Sequence, residues 1–259
     1  MVKKMKIFGL GDLHLSLSCP VVPGEWENII QHKPMDVFGE QWLNHVKKIH
    51  HKWIDTVGHD DVVLVPGDIS WAMTLEEVGC DLAFLGLLPG KIIMIQGNHD
   101  YWWQSVSRVR QALPGNAQVI QNDGVLIGET YISGTRGWVC PGSAGFTQHD
   151  EKIYIRELKR LELSLKTIDP RSKKRIIMMH FMPTNDFHEK NDFIRLMEEY
   201  GVDQCIYGHL HQGAFEQRLP EEKWGIRFSL VSGDYLDFRP ALIWEEASIF
   251  ADINEFQGG

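Results

Sequence analysis

The stretch KIIMIQGNHDYWW, Lys91 to Trp103, places an apolar run directly before a glycine and three polar residues. Ile92 to Ile95 have the length and β-branched character of a strand buried on both faces. Gly97 then introduces an amide, an imidazole and a carboxylate at Asn98, His99 and Asp100. The arrangement recurs along the chain. MKIFGL leads to GDLH at 11–14, and DVVLVP leads to GDIS at 67–70. RIIMM leads to His180-Phe181, and QCIY leads to GHLH at 208–211.

Helical periodicities fill the intervals. Phe38, Trp42, Val46, Ile49, Trp53 and Val57 recur every three or four residues and predict one continuous helix. Leu75 to Leu85 and Trp102 to Leu113 predict a second and a third. Tyr154 to Leu165 predicts a fourth, closed by Pro170, and a short helix runs from Asp192 to Tyr200, ending at Gly201. Strands alternating with helices imply an α/β fold with much parallel pairing. Near the C-terminus, IRFSLVSG and ALIWEEASIFADI read as further strands, the latter as a hairpin about Glu245-Glu246. Between Ser16 and Asp36, Pro20, Pro23, Gly24 and Pro34 predict a long loop with at most one helical turn.

The chain has 259 residues, 43% apolar and 24% charged, which suits one globular domain spanning 1–259. A net charge of −9 argues against long nucleic acid or an anionic membrane surface as partner. The four cysteines form no C-x-x-C pair, and free thiols in a reducing compartment are the simplest reading. The basic, apolar N-terminus is interrupted at Gly9, Gly11 and Asp12 before it reaches the length of a secretory leader, and no stretch has the ~20 apolar residues of a membrane span. A cytoplasmic location is the expectation.

In open α/β sheets, ligands bind beyond the carboxyl ends of the strands. Each polar cluster stands at such an end. If the strands are neighbours, Asp12, His14, Asp68, Asn98, His99, Asp100, His180, His209 and His211 face one crevice. Oxygen and nitrogen donors without thiolate suit Mn²⁺, iron, Zn²⁺ or Co²⁺. There are too many of them for one ion, and two ions sharing a carboxylate would use them. D-x-H and H-x-H close on an ion only if the chain bends after the strand. Gly11, Gly67, Gly97 and Gly208 precede the four clusters and permit that bend. Taken singly, these residues also read as turn formers or surface histidines. Taken together, at the ends of successive strands, they read as a metal site.

The ordered set GDLH, GD, GNHD, H and GHLH, spanning Gly11 to His211, resembles the calcineurin-like metallophosphoesterases. The resemblance implies a four-layer α/β/β/α sandwich with two mixed sheets. It implies that Asp12, His14 and His211 hold one divalent ion, that Asn98, His180 and His209 hold a second, and that Asp68 bridges them. Mn²⁺, Fe²⁺/Fe³⁺ or Zn²⁺ would fill the pair, and a hydroxide between them would attack a phosphomonoester or phosphodiester. His99 would touch the phosphate or protonate the leaving oxygen, with Asp100 orienting its ring. The partner would be a phosphorylated small molecule or protein. A scaffold on the same fold that lost catalysis, and a nuclease of the same family, are the alternatives. Relative to the simplest members the spacing between His14 and Asp68 is long, which marks an irregular insertion around 16–57, a lid or an interface.

Four further readings stand beside the motif. Trp71, Trp102, Trp103 and Trp138 follow motif strands and form either an aromatic wall or core packing. Arg136, in a Gly-rich segment, is either a phosphate clamp or a surface arginine. His45, His50 and His51 fall on or near the polar side of the predicted 38–57 helix. Asp234 and Asp237 read as turn formers.

Overall fold

The structure, a computed structural model, describes residues 4–246. Two sheets stack face to face. The first has the order β11-β1-β2-β3-β4. Its strands β1 (Lys6–Gly9), β2 (Val62–Val65), β3 (Lys91–Met94) and β4 (Ala117–Val119) run parallel, and β11 (Ala241–Glu245) closes the edge antiparallel to β1. The second has the order β5-β6-β7-β8-β10-β9. There β6 (Thr130–Thr135), β7 (Lys174–Met179), β8 (Gln204–Tyr207) and β10 (Ile226–Leu230) are parallel. Antiparallel β5 (Gly124–Ile127) and β9 (Glu222–Lys223) form its edges. Both sheets are therefore mixed.

Three apolar cores hold the layers. Ile7, Leu64, Ile93, Ile132, Met178 and Ile206 pack between the sheets. The opposite face of the first sheet carries Phe8, Val63, Val65 and Ile92 against α1 (His45–Thr56), α2 (Gly79–Gly86) and α3 (Val106–Ala112). The opposite face of the second carries Ile177, Met179 and Cys205 against α4 (Gln148–Lys166) and α5 (Asp192–Glu199). Strands buried on both faces explain why the motif strands are apolar throughout rather than alternating. The α/β/β/α order is the expected one. Thr147 and Asp150 form a reciprocal capping box at the start of α4, and Asn191 caps α5 through Ile194 N.

The predicted helix over 38–57 is shorter. α1 begins at His45, after 3-10 turns at Met35–Phe38 and Glu40–Trp42 and a left-handed Asn44 (φ 54°). Phe38 leaves the stripe and is exposed, whereas Trp42 to Trp53 stay buried. His45 and His50 are buried, not on a polar face, because His45 packs against Trp42 and Phe238 and His50 against Trp26 and Phe84. The 16–36 loop has its one helical turn at Trp26–Asn28 and is pinned by Ser18 N to Ile30 O and His32 N to Ser16 O. Of the hairpin expected about Glu245-Glu246, the first strand is β11, and the second falls on residues outside the described ones.

Candidate metal centre

Every motif strand delivers its polar residues at its carboxyl end, and backbone bonds hold the resulting turns together. Asp12 N donates to Gly67 O and His14 N to Asp68 O, each at 3.0 Å, so the pairing of β1 with β2 continues past the strands. Gly11 N donates to Val231 O at 2.7 Å and Gly208 N to His180 O at 3.1 Å, which ties in the second sheet. Asp12, His14, Asp68 and His209 all adopt left-handed φ, between 44° and 69°. L-residues disfavour that region by about 1–2 kcal/mol each. The bend that lets D-x-H and H-x-H act as pincers therefore falls on the ligands themselves.

Two glycines are required by contact. A Cβ at Gly97 would stand 2.1 Å from Asp68 Oδ1, and one at Gly208 would stand 2.3 Å from Asp12 Oδ2. The close approach is to neighbouring carboxylates and turns.

The polar atoms converge. Asp12, His14 and His211 bring one ligand atom each within 4.8 Å of one another, and so do Asp12, Asp68 and His180. Asp68 Oδ2 lies 3.4 Å from His180 Nε2 and 3.7 Å from His14 Nε2, buried and without a hydrogen-bond partner. Asn98 Oδ1 reaches His180 Nε2 at 2.6 Å, while Pro66 O engages its Nδ1 at 3.0 Å. His14 and His211 face each other through Nε2 atoms 3.4 Å apart. His209 stands outside the two tight groups but beside them, its ring 5.0 Å from that of His180. Its backbone N–H donates to both oxygens of Asp12.

This arrangement fits divalent cations. A buried carboxylate oxygen between two imidazoles, with no donor, is costly unless a cation meets it. Burial holds His14 well below its ordinary value and brings His180 and His209 down to about 3. They are neutral at pH 7 and offer lone pairs. Burial pushes Asp12 up to about 8, with Asp68 adding repulsion and His211 opposing. Burial would also lower His211, but Asp234, Asp12 and Asp68 outweigh it and raise it to about 9. Asp234 Oδ1 accepts from His211 Nδ1 at 3.0 Å, and Oδ2 accepts from Gln212 N. Asp234 therefore orients a ligand instead of merely forming a turn. Its sequence setting, SGD after a strand, repeats the small-residue-then-carboxylate pattern of the other clusters.

Two expected roles change. Asp100 does not aim the His99 ring. Its carboxylate accepts from Ile69 N, Ser70 N, Gly97 N and Trp102 Nε1, and His99 Nδ1 has no hydrogen-bond partner. Four donors saturate Asp100, which clamps the turns after β2 and β3 together. Arg136 is not a surface arginine. Its guanidinium faces buried Glu157 at 3.5 Å and lies over Trp138. Of the tryptophans, Trp102 and Trp103 are core. Trp71 stacks on His14 (5.0 Å between rings) and approaches His99 (4.2 Å).

The profile of the calcineurin-like phosphoesterases matches residues 5–213. Among solved structures, phosphopantetheinyl hydrolase from Mycobacterium tuberculosis is similar at a TM-score of 0.51 and 14% identity, covering 93% of this chain and 96% of its own. A protein of unknown function from Aquifex aeolicus is similar at 0.47 and 12%, covering 92% and 95%. No curated protein matches the chain. At such identities the structures share the fold alone. Among the described residues, no helix is long and apolar enough to cross a membrane. With a family profile over most of its length and the motif residues gathered into two adjoining ligand groups, the chain belongs to the calcineurin-like phosphoesterase family.

Proposed function

We propose that this chain is a cytoplasmic phosphoesterase that uses two divalent ions, drawn from Mn²⁺, Fe²⁺/Fe³⁺ or Zn²⁺, to hydrolyse a phosphomonoester or phosphodiester of a small molecule or protein. The observation that carries the reading is the unpartnered Asp68 Oδ2 between His14 and His180. Asp12, His14 and His211 would hold one ion, Asn98, His180 and His209 the other, and Asp68 would be common to both. When bound, such ions supply Lewis acidity to phosphoryl oxygens and lower the pKa of water.

The protein's own groups supply the rest. Asp234 fixes the ring orientation of His211, and Asp100 fixes the turns that carry Asp68 and Asn98. His99 borders the cavity next to the ligands. Burial holds its imidazole below the usual value; Asp68 opposes this, and Lys33 and His211 add to it. It is neutral at pH 7 and presents an N–H to a phosphoryl oxygen. A phosphoryl anion beside it favours the imidazolium, from which a departing oxygen can take a proton.

A turnover panel tests the reading: mono- and diester substrates against Mn²⁺, Zn²⁺ and Fe²⁺, with metal stoichiometry measured on the same samples. Hydrolysis with two ions per chain is expected. Two bound ions without turnover would leave a binding scaffold, and cleavage of plasmid or single-stranded DNA would leave a nuclease.

A further inference from the structure

Beside the ligand groups lies a cavity of about 430 Å³, within the range of small-molecule sites. His14, His99 and His211 form its floor. Its walls come mainly from the insertion: Met35, Phe38 and Trp42, joined by Trp71. We infer that this cavity binds the ester group of the substrate, and that this group is apolar and aromatic in size and shape, an aryl group and not a sugar or a nucleoside. The inference rests on the phosphoesterase reading above and names the substrate class for that same site.

Three observations support it. First, the walls are fixed. Trp71 Nε1 donates to Met35 Sδ at 3.1 Å, and Lys33 Nζ lies 3.1 Å from the centre of the Trp71 ring. Trp42 packs edge-on against Phe238 and His14. Preformed aromatic and thioether surfaces favour a flat apolar group. Second, the polar groups in the walls are already engaged. The Gln41 amide donates to Phe38 O, and Asp234 accepts from His211 and Gln212 N. The uncharged polar groups left to meet a ligand include the Gln41 carbonyl and the Gln212 amide. A ribose or a nucleobase edge would bring more donors and acceptors than these groups can meet. Third, the cavity shares His14 and His211 with the ligand groups and has His99 beside them, so a phosphoryl group held there places its ester substituent against these walls.

The test uses metal-loaded full-length protein and phosphonates, which bind without being hydrolysed. Isothermal titration should show 2-naphthylphosphonate binding at least tenfold tighter than methylphosphonate. Phe38 is exposed, so Phe38→Ala and Phe38→Asp leave the core intact. Both should reduce the preference, the aspartate variant to within about threefold. Equal affinity for the two phosphonates, no binding of either, or a preference unmoved by Phe38→Asp would overturn the inference. A retained preference without turnover in the metal panel would sink only the hydrolytic reading. The reverse pattern, turnover without preference, would sink only the aryl subsite.

Discussion

The two sides of the cavity are built by opposite means. The floor, His14, His99 and His211, stands on the turns after β1, β3 and β8, beside ligand groups completed from β2 and β7, and these motif strands are almost entirely buried with turns bonded to one another. The far wall stands on 3-10 turns at Met35–Phe38 and Glu40–Trp42, followed by a left-handed asparagine. One side is rigid because both faces of each strand are packed. The other is held by a few side-chain contacts, Trp71 with Met35 among them. Groups that must meet within tenths of an ångström sit on sheet, and groups that decide what fits beside them sit on an irregular segment.

The sharpest way to break the contrast is to remove a residue of the candidate ligand groups on which the floor rests. Asp68→Ala should empty the ion pair and lower turnover by at least about 10³-fold, read by metal analysis and a phosphoester assay. His99→Ala should lower turnover by about 10²–10⁴-fold while both ions stay bound. Loss of metal in the His99 variant would show that the ring is a ligand and would cancel its assigned role. Asp234→Asn should weaken metal binding or activity by about 10–100-fold, because it alters the tautomer and tilt of His211. An effect on stability alone would make Asp234 a turn former after all.

The smallest effect tests the joint between the two sides. Asp81 accepts from Leu17 N at the start of the insertion and from Ser70 Oγ after Asp68. Burial pushes its pKa up to about 7 despite those bonds. A carboxyl whose folded value is raised stabilises the protein fully below its unfolded value, near 3.8, and loses that contribution as pH rises through about 7. Urea unfolding of wild type and Asp81→Asn between pH 4 and 8 should diverge, with a difference of up to a few kcal/mol. Parallel curves would mean that Asp81 does not take up a proton on folding.

How legible each side was follows from the same contrast. The strands were readable because double burial leaves an unbroken Ile/Val/Met run, and the candidate ligands were readable because four of the five runs end in glycine and a polar residue and the fifth in His180. Asp234 follows the same pattern but lies beyond the recognised motif, so turn chemistry competed for it. The insertion misled. Phe38 and Trp42 fit a helical period by spacing, but the turn at Asn44 breaks the register, so Phe38 faces solvent and Trp42 a ligand. Asp100 was assigned by adjacency to His99. Nothing in the sequence signals four backbone and indole donors waiting for it.

The left-handed ligands have one further consequence, for protein engineering. Asp12, His14, Asp68 and His209 occupy backbone angles at which glycine is favoured over any side chain. A stability screen that scored the fold alone would rank glycine first at all four positions. Each such choice would raise the melting temperature on paper and remove a candidate ligand. These positions belong on the list of fixed residues before any thermostable variant is designed.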